Sequence, residues 1–534
     1  MSDDQNPDRQ PDPEAEELVR PELAELRARL TATTDAGRPD AVAKRRKTGQ
    51  RTTRENIADL LDEGSFVEYG ALAIAAQRQR HSVEDLARIS PADGILCGTG
   101  TVNRDLFDAE RARAMVLAYD YTVFAGTQGV MGHKKLDRML GLAATWRVPI
   151  ALFAEGGGGR PNDVDFPSVA GLDVPSFYGF AALSGLVPRV GIASGRCFAG
   201  NAALLGCCDV IIATEDSSIG MGGPAMIEGG GLGTFKPEEV GPIAVQSKNG
   251  VVDVRVRDEA EAVAVAKKYL AYFQGPVKAW SCADQTALRT ALPERRRRAY
   301  KIRPIIETLA DEGSALELRR EFGKSIVTSL IRIEGQPFGL IANDPFHLGG
   351  AIDADSSDKA ARFLQLCDAF GIPIVSLCDT PGFMVGPDAE KTALVRHVSR
   401  LFVAAASLSV PLFTVVLRKG YGLGAQAMAG GHFHAPVFTI AWPTGEFGGM
   451  NLEGAVRLAM RRELEAIADP AARDQMFQGM VAVAYERGKA INMASLLEID
   501  AVIDPAETRA RITKGFRSVP PPERGARRRF VDTW

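Results

Sequence analysis

The chain has 534 residues, too many for one ordinary core, so two or more domains are expected. Hydrophobic residues make up 46% and charged residues 24%, which excludes a disordered or fibrous chain. The net charge of −4 offers no global basic field to nucleic acid, and the absence of any apolar run of about 18 residues predicts no membrane span.

Residues 1–17 are acidic and Pro-rich; they read as a disordered tail and not as a signal peptide. Leu23, Leu26 and Leu30 give residues 18–33 a helical spacing. The basic run Lys44-Arg45-Arg46-Lys47 reads as a solvated helix end or, alternatively, as a phosphate contact. An internal repeat then dominates. Asp62-Glu63-Gly64-Ser65 returns as Asp311-Glu312-Gly313-Ser314, an offset of 249. Farther on the offset is 224, matching Asp120 to Asp344, Gly126 to Gly350, Lys135 to Lys359 and Pro149 to Pro373. The missing 25 residues are expected as an insertion within 71–95 of the first copy.

In each copy an amphipathic helix, 135–146 or 359–370, leads to a Pro-led apolar strand, 148–153 or 372–377. A second strand follows (190–193 or 413–416), then a Gly-rich turn, a small-residue helix and a third strand (210–213 or 437–440). Continuous apolar strands alternating with helices predict an α/β fold with buried, largely parallel strands. The expected division is a first domain over 18–290 and a second over 291–534, joined near the charged run Arg295–Arg298, which reads as a solvated connection. The seven Cys lack any C-x-x-C spacing, so reduced thiols in a soluble cytoplasmic protein are expected.

No P-loop, complete Rossmann fingerprint, H-E-x-x-H or G-x-S-x-G is present. His432-Phe433-His434 lacks the Cys or carboxylates that would complete a metal site, so no metal is expected. The two Gly-rich turns remain. They are Gly195-Arg196-Cys197-Phe198-Ala199-Gly200-Asn201 and Lys419-Gly420-Tyr421-Gly422-Leu423-Gly424-Ala425. Counted from Pro188 and Pro411, Gly200 matches Leu423 and Asn201 matches Gly424. Each turn opens a helix, whose first N–H groups have no internal partner and whose dipole is positive at that end. That geometry suits an oxyanion hole. Close packing of a helix on a strand would also call for small residues here.

Further strings are specific in combination: Arg54-Glu55-Asn56-Ile57, Pro381-Gly382-Phe383-Met384-Val385-Gly386, Arg396-His397, Arg418-Lys419-Gly420-Tyr421-Gly422 and Ala441-Trp442-Pro443-Thr444. Over about residues 20–534 the chain resembles the carboxyltransferase (β) subunits of biotin-dependent acyl-CoA carboxylases. The resemblance implies two tandem crotonase-like domains and a CoA thioester substrate. It implies biotin, as carboxybiotin on a separate carrier, with a biotin carboxylase and a biotin carboxyl carrier protein as partners. It also implies a homo-oligomer, usually a hexamer. The acyl-CoA hole maps onto Gly200 and Asn201, flanked by Ala199. The biotin hole maps onto Leu423 and Gly424, flanked by Gly422 and Ala425. No titrating base is implied, because the freed biotin nitrogen takes the α-proton. Asn201 replaces a glycine common in the family, which implies a narrower, more polar pocket. The 445–450 loop matches no familiar pattern, and neither Gln426 nor the pair Phe177 and Tyr178 can be assigned to an acyl pocket. The alternatives are a biotin-dependent decarboxylase component and a non-catalytic scaffold subunit.

Overall fold

Two sheets form from the apolar runs of the two copies. The computed structural model describes residues 20–166, 170–520 and 529–534, so the predicted tail lies outside the described residues. In the first copy the strands are β1 (Val67–Tyr69), β2 (Ile95–Thr101), β3 (Arg113–Tyr119), β4 (Ile150–Phe153), β5 (Arg189–Ala193), β6 (Val210–Thr214) and β7 (Val254–Val256). In the second they are β8 (Leu316–Leu318), β9 (Ile326–Ile333), β10 (Gln336–Asn343), β11 (Ile374–Thr380), β12 (Leu412–Tyr421), β13 (Phe438–Ala441) and β14 (Ala501–Val502). Each sheet runs in chain order, and a short strand, Glu446–Gly448, pairs beside β12 in the second. The first three strands are antiparallel and the rest parallel in both copies. The identical order confirms the α/β duplication.

Strand pairing also locates the extra residues of the first copy. Val67 pairs with Thr99 and Leu316 with Leu330, so the offset falls from 249 to 231 between β1 and β2. Thr99 pairs with Met115 and Leu330 with Gly339, so it falls again to 224 across the next hairpin. The insertion is therefore split. Eighteen residues lie in the β1–β2 connection and seven in the β2–β3 turn, whereas the sequence pattern placed all of them in 71–95.

Four helices position the later argument: α1 (Val130–Trp146), α2 (Ala199–Gly206), α3 (Ala354–Ala369) and α4 (Gly422–Met428). Helix α1 buries Leu136, Met139, Leu140 and Ala143 on one face and stops at Arg147, which takes a left-handed φ of 56°. Helix α3 is buried almost all round because it lies between the copies. One continuous apolar cluster runs from Ile57 and Val190 to Leu364 and Met428, so the halves share a core. Buried charged contacts cross the seam. Arg319 of the second copy pairs with Asp253 of the first at 3.2 Å, and Arg362 from α3 donates to the Asp209 carbonyl at 2.6 Å. The C-terminal residues return to the first half, where Ser184 and Val531 exchange two hydrogen bonds of 2.6 and 2.9 Å.

The repeated lysines are interior groups. Lys135 donates to the Ala92 carbonyl and Lys359 to that of Phe322, each at 2.9 Å. Burial pushes the Lys359 ammonium down to about 7. In the unfolded chain a lysine holds its proton to about pH 10, so over that interval the unfolded state binds the extra proton and stability rises with pH. Lys359→Met is expected to flatten this rise by up to one proton per chain. Parallel denaturation midpoints between pH 7 and 9 measure it, and an unchanged slope would assign the dependence to other groups.

Candidate functional site

Each Gly-rich turn is delivered by a short strand. In the first copy Arg196–Phe198 ends where Ala199 takes a φ of +52°, and α2 begins at once. In the second copy β12 runs through Tyr421, Gly422 takes a φ of +57°, and α4 begins. The left-handed residue turns the chain abruptly from strand into helix. Gly200 and Asn201 are the second and third residues of α2, and Leu423 and Gly424 those of α4. These positions have no intrahelical partner for their N–H groups, and no side chain caps either helix among the described residues. Ala199 and Gly200 are partly exposed, Leu423 is 62% exposed, and Gly424 and Ala425 are buried. A cleft of about 710 Å³ opens at the second start. Gly422, Leu423, Gln426, Phe433, Phe447 and Leu452 line it, and no residue of the first start does.

Close packing explains why the turn residues are small. A Cβ on Gly424 would lie 2.7 Å from Gly382 Cα, and one on Gly157 would lie 2.6 Å from the Phe198 carbonyl oxygen. Asn201, the counterpart of Gly424, solves the same problem differently. Its side chain is fully buried and its Nδ2 donates to the carbonyls of Glu155 at 2.7 Å and Gly126 at 3.0 Å. It therefore turns into the body of the domain. The polar, narrowed pocket expected from this residue does not form.

Beneath each start lies a buried acid at the end of the central strand, Glu155 in the first copy and its counterpart Asp379 in the second. Arg45 grips Glu155 through two bonds of 2.6 and 2.7 Å and lies 3.5 Å from Glu259. Burial pushes the Glu155 carboxyl up to about 7. Arg45 belongs to the basic run at 44–47, and its burial corrects the solvated reading for that residue, although Lys44, Arg46 and Lys47 remain exposed. Asp379 receives the Tyr300 hydroxyl at 2.7 Å, the Arg418 guanidinium at 3.1 Å and the Lys419 main-chain N–H at 3.1 Å. Arg418 also donates to the carbonyls of Arg296 and Arg298, each at 2.9 Å. The Arg296 guanidinium lies 4.4 Å over the Tyr485 ring and 3.8 Å from Glu446, which accepts the Tyr421 hydroxyl at 2.8 Å. The arginines of the Arg295–Arg298 run are exposed, as a solvated connection requires, while the carbonyls of Arg296 and Arg298 hold the segment against the second site. Nothing local in the sequence marks Glu155 and Asp379 as buried or pairs them with Arg45 and Arg418, because the partners lie 110 and 39 positions apart.

His432 and His434 face the cleft, and no metal-binding cluster occurs among the described residues. Tyr178 is 80% exposed, so it is no core residue. Near the first start, Glu215 pairs with Arg255, and Asp216 accepts from Thr214 and Gln50. The seven Cys are all unpaired.

Residues 44–520 match the carboxyl transferase domain family. The chain belongs to that family. It is 32% identical over 515 residues to the propionyl-CoA carboxylase beta chain of Cereibacter sphaeroides, covering 93% of this chain and 96% of that one. It is 31% identical over 517 residues to the methylmalonyl-CoA carboxyltransferase 12S subunit of Propionibacterium freudenreichii subsp. shermanii, covering 93% of each. Among solved structures it superposes on a single-chain, multi-domain long-chain acyl-CoA carboxylase with a TM-score of 0.88 and 59% identity. That match covers 93% of this chain and 49% of the other, so the chain spans about half the length of that carboxylase. A hexameric transcarboxylase 12S structure, with methylmalonyl-CoA and methylmalonic acid bound, matches with a TM-score of 0.81 and 27% identity, covering 95% of this chain and 98% of that one. As a carboxyl transferase of the biotin-dependent acyl-CoA carboxylases, the chain is an enzyme with the tandem crotonase-like fold.

Asn201→Ala is expected to leave the Glu155 and Gly126 carbonyls without their donor, costing about 1–3 kcal/mol. Thermal unfolding measures the loss. A variant as stable as the parent would mean that water replaces both bonds.

Proposed function

We propose that the chain moves a carboxyl group from carboxybiotin to the α, or vinylogous, carbon of an acyl-CoA through two main-chain oxyanion holes. The amides of Gly200 and Asn201 serve the thioester oxygen, and those of Leu423 and Gly424 serve the biotin ureido oxygen. Ala199, Gly422 and Ala425 shape the two turns. The observation that carries this reading is the equivalence of the two helix starts, second and third residue in each, in a duplicated fold. Negative charge on oxygen is favoured there by orphan N–H groups and by the helix dipole, with no titrating side chain required. The cleft at α4 suits a bicyclic ureido ring, since Gly449 leaves its wall open and Phe433 and Phe447 supply apolar contact. Bound biotin would supply the carboxyl group and, once relieved of it, a nitrogen base for the α-proton.

The carboxyl transfer requires a biotin carboxylase and a biotin carboxyl carrier, as separate or fused partners. The 12S relative forms a hexamer, and a homo-oligomer of that kind would let the first start of one subunit meet the second start of another. The seven unpaired thiols support a reducing, cytoplasmic setting. A long-chain acyl-CoA is the favoured substrate. Support comes from the 59% identical long-chain carboxylase and from the 32% identical long-chain acyl-CoA carboxylase beta4 subunit of Mycobacterium tuberculosis.

Gly424 is a poor position for removing an amide, because any Cβ there strikes the Gly382 backbone. Leu423 has an exposed side chain in the first helical turn, where proline is tolerated. Leu423→Pro is expected to lower carboxyl transfer about 10²–10³-fold while acyl-CoA binding is kept. Assay over acetyl-, propionyl- and palmitoyl-CoA reads chain preference at the same time. Full turnover in Leu423→Pro would remove the second hole from the mechanism, and a preference for propionyl-CoA would remove the substrate assignment.

A further inference from the structure

The amides assigned to the second hole are main-chain groups, so their placement depends on what holds the end of β12. Its last four residues, Arg418 to Tyr421, lead directly into α4. Three of them are tied by their own groups. Arg418 and the N–H of Lys419 bind Asp379, and the Tyr421 hydroxyl binds Glu446. Asp379 is fully buried, and its own N–H donates to the Asn343 side-chain oxygen at 3.1 Å. Its carbonyl packs against the separate turn Leu348–Gly350: a Cβ on Gly350 would lie 2.4 Å from that oxygen. In the first copy a Cβ on Gly126 would lie 2.4 Å from the Glu155 carbonyl, the same contact at the equivalent residue.

The two copies then diverge. Glu155 takes its arginine from the N-terminal segment and reaches α2 through its main-chain carbonyl, which accepts Asn201 Nδ2. Asp379 takes its arginine from β12 itself and accepts the strand's N–H through its carboxylate. A buried carboxylate therefore grips the strand's main chain in the second copy, whereas in the first copy the strand's Arg196 pairs at 2.8 Å with the exposed Glu238.

We infer that Asp379, held by Tyr300 and Arg418, is the positioning residue of the second oxyanion hole. This rests on the assignment of Leu423 and Gly424 to that hole. Asp379 fixes the strand end at Lys419, and Arg418 extends the anchor to the carbonyls of Arg296 and Arg298, so the segment joining the two copies braces the same hole. Burial and the Asp379 charge together hold the Tyr300 hydroxyl protonated well above its ordinary range, so it remains a donor at working pH.

The test uses the full chain in its assembled state. Asp379→Asn keeps the size and removes the charge; Tyr300→Phe removes one hydrogen bond with little change in volume and covers the case in which Asp379→Asn folds poorly. Carbon dioxide release from free carboxybiotin is measured without acyl-CoA, alongside calorimetric binding of the acyl-CoA. Amide hydrogen exchange is followed over 418–428 and 199–206. Asp379→Asn is expected to slow release about 10²-fold, as a displaced hole would. Tyr300→Phe is expected to slow it several-fold. Acyl-CoA affinity stays within twofold, and exchange quickens in 418–428 only. Asp379→Glu is expected to recover part of the rate. Release within twofold of the parent and unchanged exchange in both variants would overturn the inference, and so would equal acceleration of exchange in both segments, the mark of general loosening. Leu423→Pro separates the two claims. If it abolishes release while the Asp379 and Tyr300 variants do not, the hole stands and the positioning role falls. If it leaves release intact, the hole assignment itself falls.

Discussion

A helix that starts directly off a β-strand leaves its first amides without partners, and the rest of this structure follows from that constraint. At Ala199 and Gly422 a single left-handed residue makes the change, so there is no loop in which a capping side chain could be placed. A buried start of this kind would be costly, because unpaired N–H groups away from water are unfavourable. It is tolerated where the amides meet an open surface or a ligand oxygen. The same geometry that creates the cost therefore creates the anion-binding capacity. Small residues are required twice over, once so that backbone can pack on backbone, as at Gly424 on Gly382, and once so that a ligand can approach.

Duplication explains why the fold is so regular and the two sites so different. Sheet order, turn glycines and buried lysines are common to both halves. These features set the sheet and its helices, and a shared core penalises change in either half. The supports around each helix start carry no such restriction. Asn201 fills with an amide the space that in the second copy is closed by direct contact of two glycines. The acids Glu155 and Asp379 occupy the same position yet recruit arginines from opposite directions. Two holes that receive different oxygens need equal amides and unequal surroundings, and this is the pattern the side chains follow.

Much of this was legible in the residues themselves. The repeat, the strand runs and the two turns are local patterns, with period and spacing that survive in a single sequence. The supports were not legible, because a buried ion pair joins residues far apart in the chain. Arg45 and Glu155 are separated by 110 positions, and Arg45 stands in a run of bases that otherwise faces solvent. Arg296 and Arg298 stand in a charged run, yet they are drawn in through their main-chain carbonyls, which sequence does not advertise. The insertion was placed in one connection because a single offset change cannot show that two loops differ, whereas strand pairing can.

The pinned junction also bears on how the halves work together. Arg418 holds the segment between the copies by two carbonyls, and Arg296 in that segment reaches Glu446 and Tyr485 on the far side of the same site. Tyr485 belongs to the helix Pro470–Arg487, whose residues Ala484 and Arg487 wall the cleft. The floor of the cleft, its wall and the link to the other half are thus joined by one set of charge-assisted contacts. The buried contact of Arg418 with Asp379 contributes little net stability, since desolvation offsets most of the attraction, but breaking one partner is costly, while Arg296 stays half-exposed. The value of these contacts is geometric. They make a loose junction expensive, so the strand end that presents the second pair of amides holds one position.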